Sequence, residues 1–408
     1  MSAARDLSLA GVNVVLVEAR SRIGGRLYTD EEGFEQGGQW IHTPHCNPVK
    51  MMADCLEVET REQEEYGTES LSFNDPSDAV AEQCEELLDV SFSCSKEDVS
   101  LTPQESLLQC AAEDLEYDPE EVQFIFKEML RTQFELDSGP WDDIDAAPML
   151  LDMSIVYRNH FSLQETLQGD VAVVPGYSHL VQRILDSGNT NKIHIKLNST
   201  VNTVQFKEDI RRVQLLDAKG GAIVKEAADA VLVTVPLGVL KAGSITFDPS
   251  LSHSIQTAIS NLGMAVFNKV WLTFESKFDF TAMSFFRFAT GDTEVPVFDF
   301  VVNMQEQLGE PVLMAFTGGA TALWIENATD IEVQNAIMPQ LRQMETLAQL
   351  EGPIRIKVTR WKTDPFARGS YSYVRGGYED FFHDMMQFSK RIHQSTIFFA
   401  GEHTTPHY

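Results

Sequence analysis

The feature that most constrains the fold is a short apolar run, VNVVLV at residues 12–17, which ends at the acidic residue Glu18. Such a run is typical of a strand that is buried on both faces of a parallel sheet. Before it, apolar residues fall at helical spacing over residues 3–10, and Gly11 is a natural helix stop. A helix that leads into a parallel strand predicts the second half of a βαβ unit, and hence an α/β fold.

A turn rich in glycine and arginine follows this strand at residues 19–26. An acidic residue at the end of the second strand of a dinucleotide fold accepts hydrogen bonds from the adenosine ribose, and Glu18 stands at that place. A glycine pair lets the backbone approach a pyrophosphate, and arginine offers paired donors to it. The residues concerned are Arg20, Gly24, Gly25 and Arg26. In this order they predict a nucleotide-binding site rather than an ordinary surface turn.

The glycine loop GxGxxG that accompanies such sites is absent from the sequence. That loop is expected just before the first helix, and the first helix already begins within the opening residues of the chain. We therefore expect either a chain that is shortened relative to a longer protein or a site without its phosphate loop.

Composition and length argue against several classes of protein. Lys and Arg number 31 against 61 Asp and Glu, and a net charge of −30 predicts no direct binding of nucleic acid. No apolar stretch approaches the ~20 residues of a membrane-spanning helix. The five cysteines are odd in number and form no CxxC pair, which favours reduced thiols in an intracellular compartment. The cytoplasm is the first expectation, and the peroxisome and the nucleus stay open.

A resemblance to a known family rests on five motifs that occur in the family's order along the chain. They are EARSRIGGRLYT at 18–29, GGQWIHT at 37–43, VTVPLGVLK at 233–241, WKTDPFARGSYSYV at 361–374 and FFAGEHT at 398–404. Together they resemble the flavin-containing amine oxidases, which include polyamine oxidases, lysine-specific histone demethylases and monoamine oxidases. The WIH within the second motif and a further segment, MAVFNKVWLTF at 264–274, are most similar to the polyamine oxidase branch.

This resemblance implies an α/β fold in which an inserted α+β substrate domain interrupts an FAD-binding Rossmann-like domain. The FAD-binding domain would take residues 1–56, 171–243 and 356–408, and the substrate domain would take residues 57–170 and 244–355. Helical patterns between clustered acidic residues predict that the first part of the insert is mainly helical. Because the family's glycine loop and closing segment are both missing, the chain is expected to be truncated at both ends.

The resemblance also implies roles in cofactor binding. Glu18 would hold the adenosine ribose of FAD, the backbone of Val201 would meet the adenine, and Glu402 would lie near the ribityl chain and the pyrophosphate. Trp361 and Tyr371 match aromatic positions beside the flavin ring and the substrate channel. The pyrophosphate and the approach to the isoalloxazine would be lined by Arg20, Gly24, Gly25 and Arg26.

Two residues are expected to act in catalysis. Lys269 matches the family lysine that holds a water at flavin N5, although its spacing alone also fits a lysine that snorkels from an edge strand. His42 matches a histidine near the substrate amine, with Trp40 beside it in the channel, although a histidine in such a setting is more often structural. The segment HTPHC at 42–46 lacks a second ligand pair, so no metal site is expected. Ser370 stands where monoamine oxidases carry the cysteine that bonds to the flavin, which predicts non-covalent FAD.

The activity that the resemblance implies is oxidation of an amine. A hydride would pass from the carbon beside the amine to flavin N5, the imine would hydrolyse, and reaction with oxygen would release hydrogen peroxide. The expected substrate is a small cationic amine, first of all a polyamine. Two alternatives stay open, a histone-lysine demethylase-like oxidase and a truncated, non-catalytic fragment. The sequence leaves the amine, the attacked carbon and the oligomeric state undetermined.

Overall fold

The computed structural model describes residues 1–42, 44, 47–62, 170–278, 285–287, 298, 300–342, 347–373, 375, 381–388 and 396–404. Most of the first insert, predicted to be helical with acidic faces, lies outside the described residues. The same is true of every cysteine except Cys55, which is exposed and carries a free thiol. The domain boundaries stay predictions.

Helices and strands are interleaved along the described residues. In chain order the α-helices are α1 (Ser2–Leu9), α2 (Pro48–Cys55), α3 (Tyr177–Asp186), α4 (Leu237–Lys241), α5 (His253–Asn261), α6 (Gln305–Leu308), α7 (Gly319–Ile325), α8 (Asp330–Leu341) and α9 (Phe381–Phe388). The strands are β1 (Val14–Val17), β2 (Trp40–Ile41), β3 (Thr60–Glu62), β4 (Val171–Val173), β5 (Ile193–Lys196), β6 (Thr203–Lys207), β7 (Arg212–Leu216), β8 (Val231–Val233), β9 (Thr246–Asp248), β10 (Gly263–Met264), β11 (Asn268–Thr273), β12 (Phe285–Arg287), β13 (Phe300–Asn303), β14 (Val312–Thr317), β15 (Arg355–Val358), β16 (Ser372–Tyr373) and β17 (Ile397–Phe399). Short 3-10 helices occupy Thr190–Lys192 and Glu402–Thr404.

The predicted helix and strand at the start of the chain are both present. α1 is followed by Gly11, whose φ of +86° is left-handed, and β1 then pairs in parallel with β5. The strand is less buried than its apolar run predicts, since Val15 is 42% exposed. Among the described residues β1 pairs with β5, and its four residues are half-buried or exposed, so the expectation of a buried strand was wrong.

The largest sheet has the strand order β12-β13-β14-β11-β15, and each neighbouring pair is antiparallel. Every residue of β11 and β14 is buried. On one face, Val270 and Leu272 of β11 share a hydrophobic core with Ile337 of α8. Side chains alternate along a strand, so the other face of β11 presents Lys269 and Trp271.

Smaller sheets carry the remaining motifs. β2 and β3 pair with β4 in antiparallel fashion, and β8 pairs with β17 in parallel. β6 pairs with β7 and β9, and β10 pairs with β16. Because β8 and β17 are parallel, their carboxyl ends lie at one edge, where β8 leads towards Pro236 and β17 leads to Glu402. Within the described ranges, no helix combines the length and apolarity that crossing a bilayer requires.

Candidate active site

Lys269 is a fully buried cation on an interior strand. β11 lies between β14 and β15, so the alternative of a lysine that snorkels from an edge strand was wrong. Its Nζ donates to the carbonyl oxygen of Glu35 at 2.9 Å and to Oε1 of Gln39 at 2.8 Å. Burial lowers the pKa of Lys269 to about 7, although the charge of Glu35 opposes that shift. The lysine is therefore poised to change its charge near neutral pH.

Glu35, opposite this lysine, is a second buried titratable group. Its Oε1 accepts hydrogen bonds from Thr29 Oγ1 at 2.9 Å and from the backbone N–H of Tyr177 at 2.7 Å. Burial raises the pKa of Glu35, while these two hydrogen bonds and the charge of Lys269 act in the opposite direction. The loop that holds it turns tightly, since a Cβ on Gly37 would lie 1.6 Å from the carbonyl oxygen of Arg26.

Aromatic rings continue from the lysine towards the channel residues that the sequence predicted. Nζ of Lys269 lies 5.5 Å from the ring centroid of Phe316. That ring is 5.6 Å from Trp40 and 5.4 Å from Phe267, and Phe267 is 6.0 Å from Tyr371. The structure thus brings Lys269, Trp40 and Tyr371 together around two phenylalanines. Such a wall suits an apolar chain that carries an amine.

His42 lies at the exposed end of the same row. Its side chain is 71% exposed, and its ring centroid is 6.4 Å from that of Trp40. Nδ1 of His42 lies 2.7 Å from Oδ2 of Asp170, which directly precedes β4. A carboxylate at Nδ1 fixes the orientation of the ring.

Glu18 and Arg20 are fixed at the carboxyl end of β1. Oε1 of Glu18 accepts from the backbone N–H of Arg20 at 2.7 Å. The Arg20 guanidinium makes two parallel hydrogen bonds of 2.8 Å to Asp364. Its Cζ lies 5.4 Å from the ring centroid of Phe366. The fork of Arg20 is therefore held by a carboxylate from the motif at 361–374.

Arg26 joins the first motif to the last one. Its guanidinium donates to the carbonyl of Ser370 and lies 3.0 Å from Oε1 of Glu402. The other carboxylate oxygen of Glu402 accepts from the backbone N–H and the hydroxyl of Ser372. Burial opposes the charged form of Glu402, but Arg26 and Ser372 outweigh it and lower the pKa of this carboxyl.

Trp361 is buried, and both its side chain and its backbone are held by hydrogen bonds. Its Nε1 donates to the carbonyl of Gln36 at 3.1 Å, and its backbone N–H donates to Oδ1 of Asn268 at 3.2 Å. Asn268 directly precedes Lys269, so the turn with Trp361 is tied to the lysine strand. Val201 packs half-buried against the core under β6 and β9, and Ser199, two residues before it, donates its backbone N–H to the carbonyl of Glu18 at 2.9 Å.

The residues after β1 fit the ribose and phosphate groups of a nucleotide cofactor such as a flavin. Gly25 has a left-handed φ of +61°, and no atom lies within 4 Å of the position that a Cβ would take. A Cβ on Gly24 would lie 2.5 Å from the carbonyl oxygen of Leu27, so this turn requires glycine. A carboxylate at the strand end and two arginines beside an open backbone are the donor and acceptor set for a ribose and a pyrophosphate. The residues that would hold the group are Glu18, Arg20, Gly24, Gly25, Arg26 and Glu402.

Several residues of the site were not predicted from the sequence. Asp364 lies inside an identified motif, and its charge could have suggested a partner for an arginine. Gln39 also lies inside an identified motif, whereas Glu35 and Asp170 carried no local signal, because their partners are distant in sequence: Lys269 and Glu35 are 234 residues apart. Within the described residues, no group of three or more His, Cys, Asp and Glu could hold a metal ion.

Comparisons with known proteins identify the family and the fold. The sequence model of the flavin-containing amine oxidoreductases matches residues 1–408. Lysine-specific histone demethylase 2 of Homo sapiens is 28% identical over all of this chain, which spans 50% of that protein's length. Probable polyamine oxidase 4 of Arabidopsis thaliana is 28% identical over 98% of this chain and 80% of its own length.

The solved structures show the same fold. A putrescine oxidase triple mutant with redesigned cofactor binding matches 98% of this chain and 90% of its own, with a TM-score of 0.71 and 19% identity. The α/β amine oxidase fold and the resemblance stated from the motifs are thereby confirmed. The chain belongs to the flavin-containing amine oxidoreductase family.

Proposed function

We propose that this protein is an FAD-dependent amine oxidase that acts on a polyamine and releases hydrogen peroxide. The observation that carries the proposal is the completely buried Lys269 on an interior strand, hydrogen-bonded to the loop with Glu35 and Gln39 and facing a row of aromatic rings. A lysine buried in this way is unfavourable for stability alone, so a role in chemistry accounts for it better.

FAD would be held without a covalent bond. The hydroxyl of Ser370 donates to the carbonyl of Phe267 and accepts from its backbone N–H, each at 2.8 Å, and a hydroxyl offers no thiol for attachment. When bound, FAD would supply the two-electron chemistry, taking a hydride from the carbon beside the substrate nitrogen and passing the electrons on to oxygen.

The aromatic row would bind and orient the substrate. Trp40, Phe267, Phe316 and Tyr371 offer ring faces to a methylene chain and to the cationic nitrogens of a polyamine. The reacting nitrogen must be neutral to release a hydride from its neighbouring carbon. Removing that nitrogen from water among these rings lowers its pKa and favours the neutral form.

The titratable side chains would manage water and protons. Nζ of Lys269 would hold a water next to the reacting carbon, where hydrolysis of the imine consumes one water and yields an aldehyde and an amine. His42, oriented by Asp170, would meet a nitrogen of the substrate at the exposed end of the row.

The first experiment is the visible absorption spectrum of the purified 408-residue chain. A flavin band that bleaches without oxygen when spermine is added, with peroxide formed when air returns, is the expected result. Release of all flavin by acid precipitation would establish non-covalent binding. A folded chain that takes up no added FAD would refute the proposal and would support the alternative of a non-catalytic fragment.

A second candidate is oxidation of a methylated lysine side chain. Its support is the 28% identity to a histone demethylase over the full chain, although the chain spans half of that protein. The same bleaching assay with a methylated lysine peptide separates the two candidates. Bleaching by the peptide and not by spermine would favour the demethylase.

A further inference from the structure

Glu35 is the carboxylate that the proposed chemistry leaves without a role. It is 6% exposed, and its Oε2 is buried and has no hydrogen-bond partner in the part of the chain that the structure describes. A buried carboxylate destabilises a protein unless charge or hydrogen bonds compensate. What surrounds Glu35 therefore indicates what it does.

One compensation comes from the start of helix α3. Gly176 is the N-cap residue of α3 and offers no side chain to the first backbone N–H groups. A Cβ on Gly176 would lie 2.5 Å from Thr29 Oγ1 and 2.8 Å from Glu35 Oε1, so the space of a cap side chain is taken by Glu35. Its carboxylate accepts from the N–H of Tyr177 in place of that cap, at the positive end of the helix.

The other compensation comes from Lys269. The carbonyl of Glu35 accepts from Nζ of Lys269 at 2.9 Å, and the charge of the Glu35 carboxylate raises the pKa of Lys269 against the effect of burial. Gln39, the second acceptor of Nζ, is neutral, and the rings of Trp271 and Phe316 lie 5.9 and 5.5 Å from Nζ.

The other titratable groups near Lys269 and Glu35 act on Glu35 or are paired with each other. Asp30, in the preceding turn, raises the pKa of Glu35, and the Tyr177 phenol is itself held neutral by burial and by the charge of Glu35. Lys357 of β15 is engaged with Asp30 and Glu32. Glu35 is thus the anion that acts on Lys269.

We propose that Glu35 is a positioning residue of the lysine site, which fixes Nζ of Lys269 through its carbonyl and sets the charge of that lysine through its buried carboxylate. The functional meaning of this inference rests on the proposed amine oxidation. A neutral lysine can accept a proton from a water that it holds, whereas a charged one cannot. The carboxylate therefore sets the pH range in which the lysine can take a proton.

The test removes the charge and keeps the shape. Glu35→Gln retains an oxygen that accepts from Thr29 and Tyr177, so the cap of α3 is preserved. Asp384→Asn is the matched control, because Asp384 is 3% exposed and bonded to Asn261, away from the lysine. The wild type, Glu35→Gln and Asp384→Asn are each prepared in two forms, one with Lys269 and one with Lys269→Met. For each background, the difference in free energy of unfolding between the two forms is measured across pH. The pH below which the difference stops changing reports the folded-state pKa of Lys269.

Glu35→Gln is expected to move that pH downward by roughly one unit, and Asp384→Asn is expected to leave it in place. An unchanged value in Glu35→Gln, or an equal shift in both variants, would overturn the proposal. Where Glu35→Gln does not fold, Thr29→Val removes one donor that favours the charged carboxylate. A smaller downward shift is then expected, and no shift would overturn the proposal.

The second measurement is kinetic and concerns the flavin-loaded chain. One limb of the pH profile of kcat/KM for spermine should report the protonation of Lys269. In Glu35→Gln this limb should move along the pH axis by the same number of pH units as the stability curve. A stability shift with an unmoved kinetic limb would overturn the functional part of the inference. If the wild-type chain oxidises no amine, the proposed function fails while the stability curves still decide the role of Glu35.

Discussion

Replacing Lys269 by methionine should change the stability of the protein in a pH-dependent way, and the comparison with the wild type should favour the variant most near neutral pH and least in alkali. Burial lowers the pKa of Lys269 from 10.5 to about 7. Between these values the unfolded chain binds a proton that the folded chain does not, so the stability of the wild type rises with pH. Below about pH 7 the folded protein carries the full penalty of a buried ammonium, and above about pH 10.5 the penalty is gone.

The size of the effect follows from the same two pKa values. Linkage gives a Lys269 contribution on the order of −4 kcal/mol to the free energy of unfolding at pH 7 and on the order of −1 kcal/mol at pH 10. Between these pH values the free energy of unfolding of the wild type should therefore rise by roughly 3 kcal/mol relative to that of Lys269→Met. The variant also loses the hydrogen bonds to Glu35 and Gln39. The part of that loss that is equal for the charged and the neutral lysine cancels in the comparison of the two pH values, and the part that depends on charge is already contained in the pKa of Lys269.

The assay is chemical unfolding of both chains by guanidinium at pH 7 and pH 10, followed by circular dichroism. Other lysines and tyrosines titrate in the same range, but they do so in both chains and cancel. A difference between the chains that is the same at both pH values, within about 0.5 kcal/mol, would refute the argument that burial of Lys269 lowers its pKa.

Three further outcomes are expected. Asp364→Asn removes the charge that holds Arg20, so flavin retention on gel filtration should fall several-fold; Asp54→Asn, at an exposed ion pair, is the control and should retain flavin. Burial lowers the pKa of His403 to about 4, so acid favours the unfolded chain, in which this histidine binds a proton more readily. Between pH 6.5 and 4.5 the free energy of unfolding of the wild type should fall by about 2 kcal/mol more than that of His403→Phe, and equal losses would contradict this. Trp40→Ala removes a ring of the aromatic row and should raise KM for spermine about tenfold with the flavin spectrum unchanged, and an unaltered KM would exclude the row from substrate binding.

The sequence by itself determined the start of the fold and the family. A helical period, a glycine stop and an apolar strand that ends at Glu18 are local patterns, because each depends on neighbours within a few residues. Gly24 and Gly25 were predicted for the same reason, since backbone freedom belongs to the residue itself. The ordered motifs added the amine oxidase fold, which the comparison with a putrescine oxidase confirms.

Tertiary structure decided how these residues meet. Spacing on a strand fits Lys269 at an edge or in the interior equally well, and only the pairing of β11 with both β14 and β15 settled which was right. The burial of β1 was overestimated because an apolar run does not show what packs against the two faces of a strand.

The pairs that define the site join segments far apart in the chain. Arg20 meets Asp364 across 344 residues, and Lys269 meets Glu35 across 234. Ion pairs and buried hydrogen bonds act over a few ångströms in space and leave no periodic trace in sequence. The sequence therefore predicted most of the residues that the proposed site uses, and the packing of the strands determined their burial and their partners.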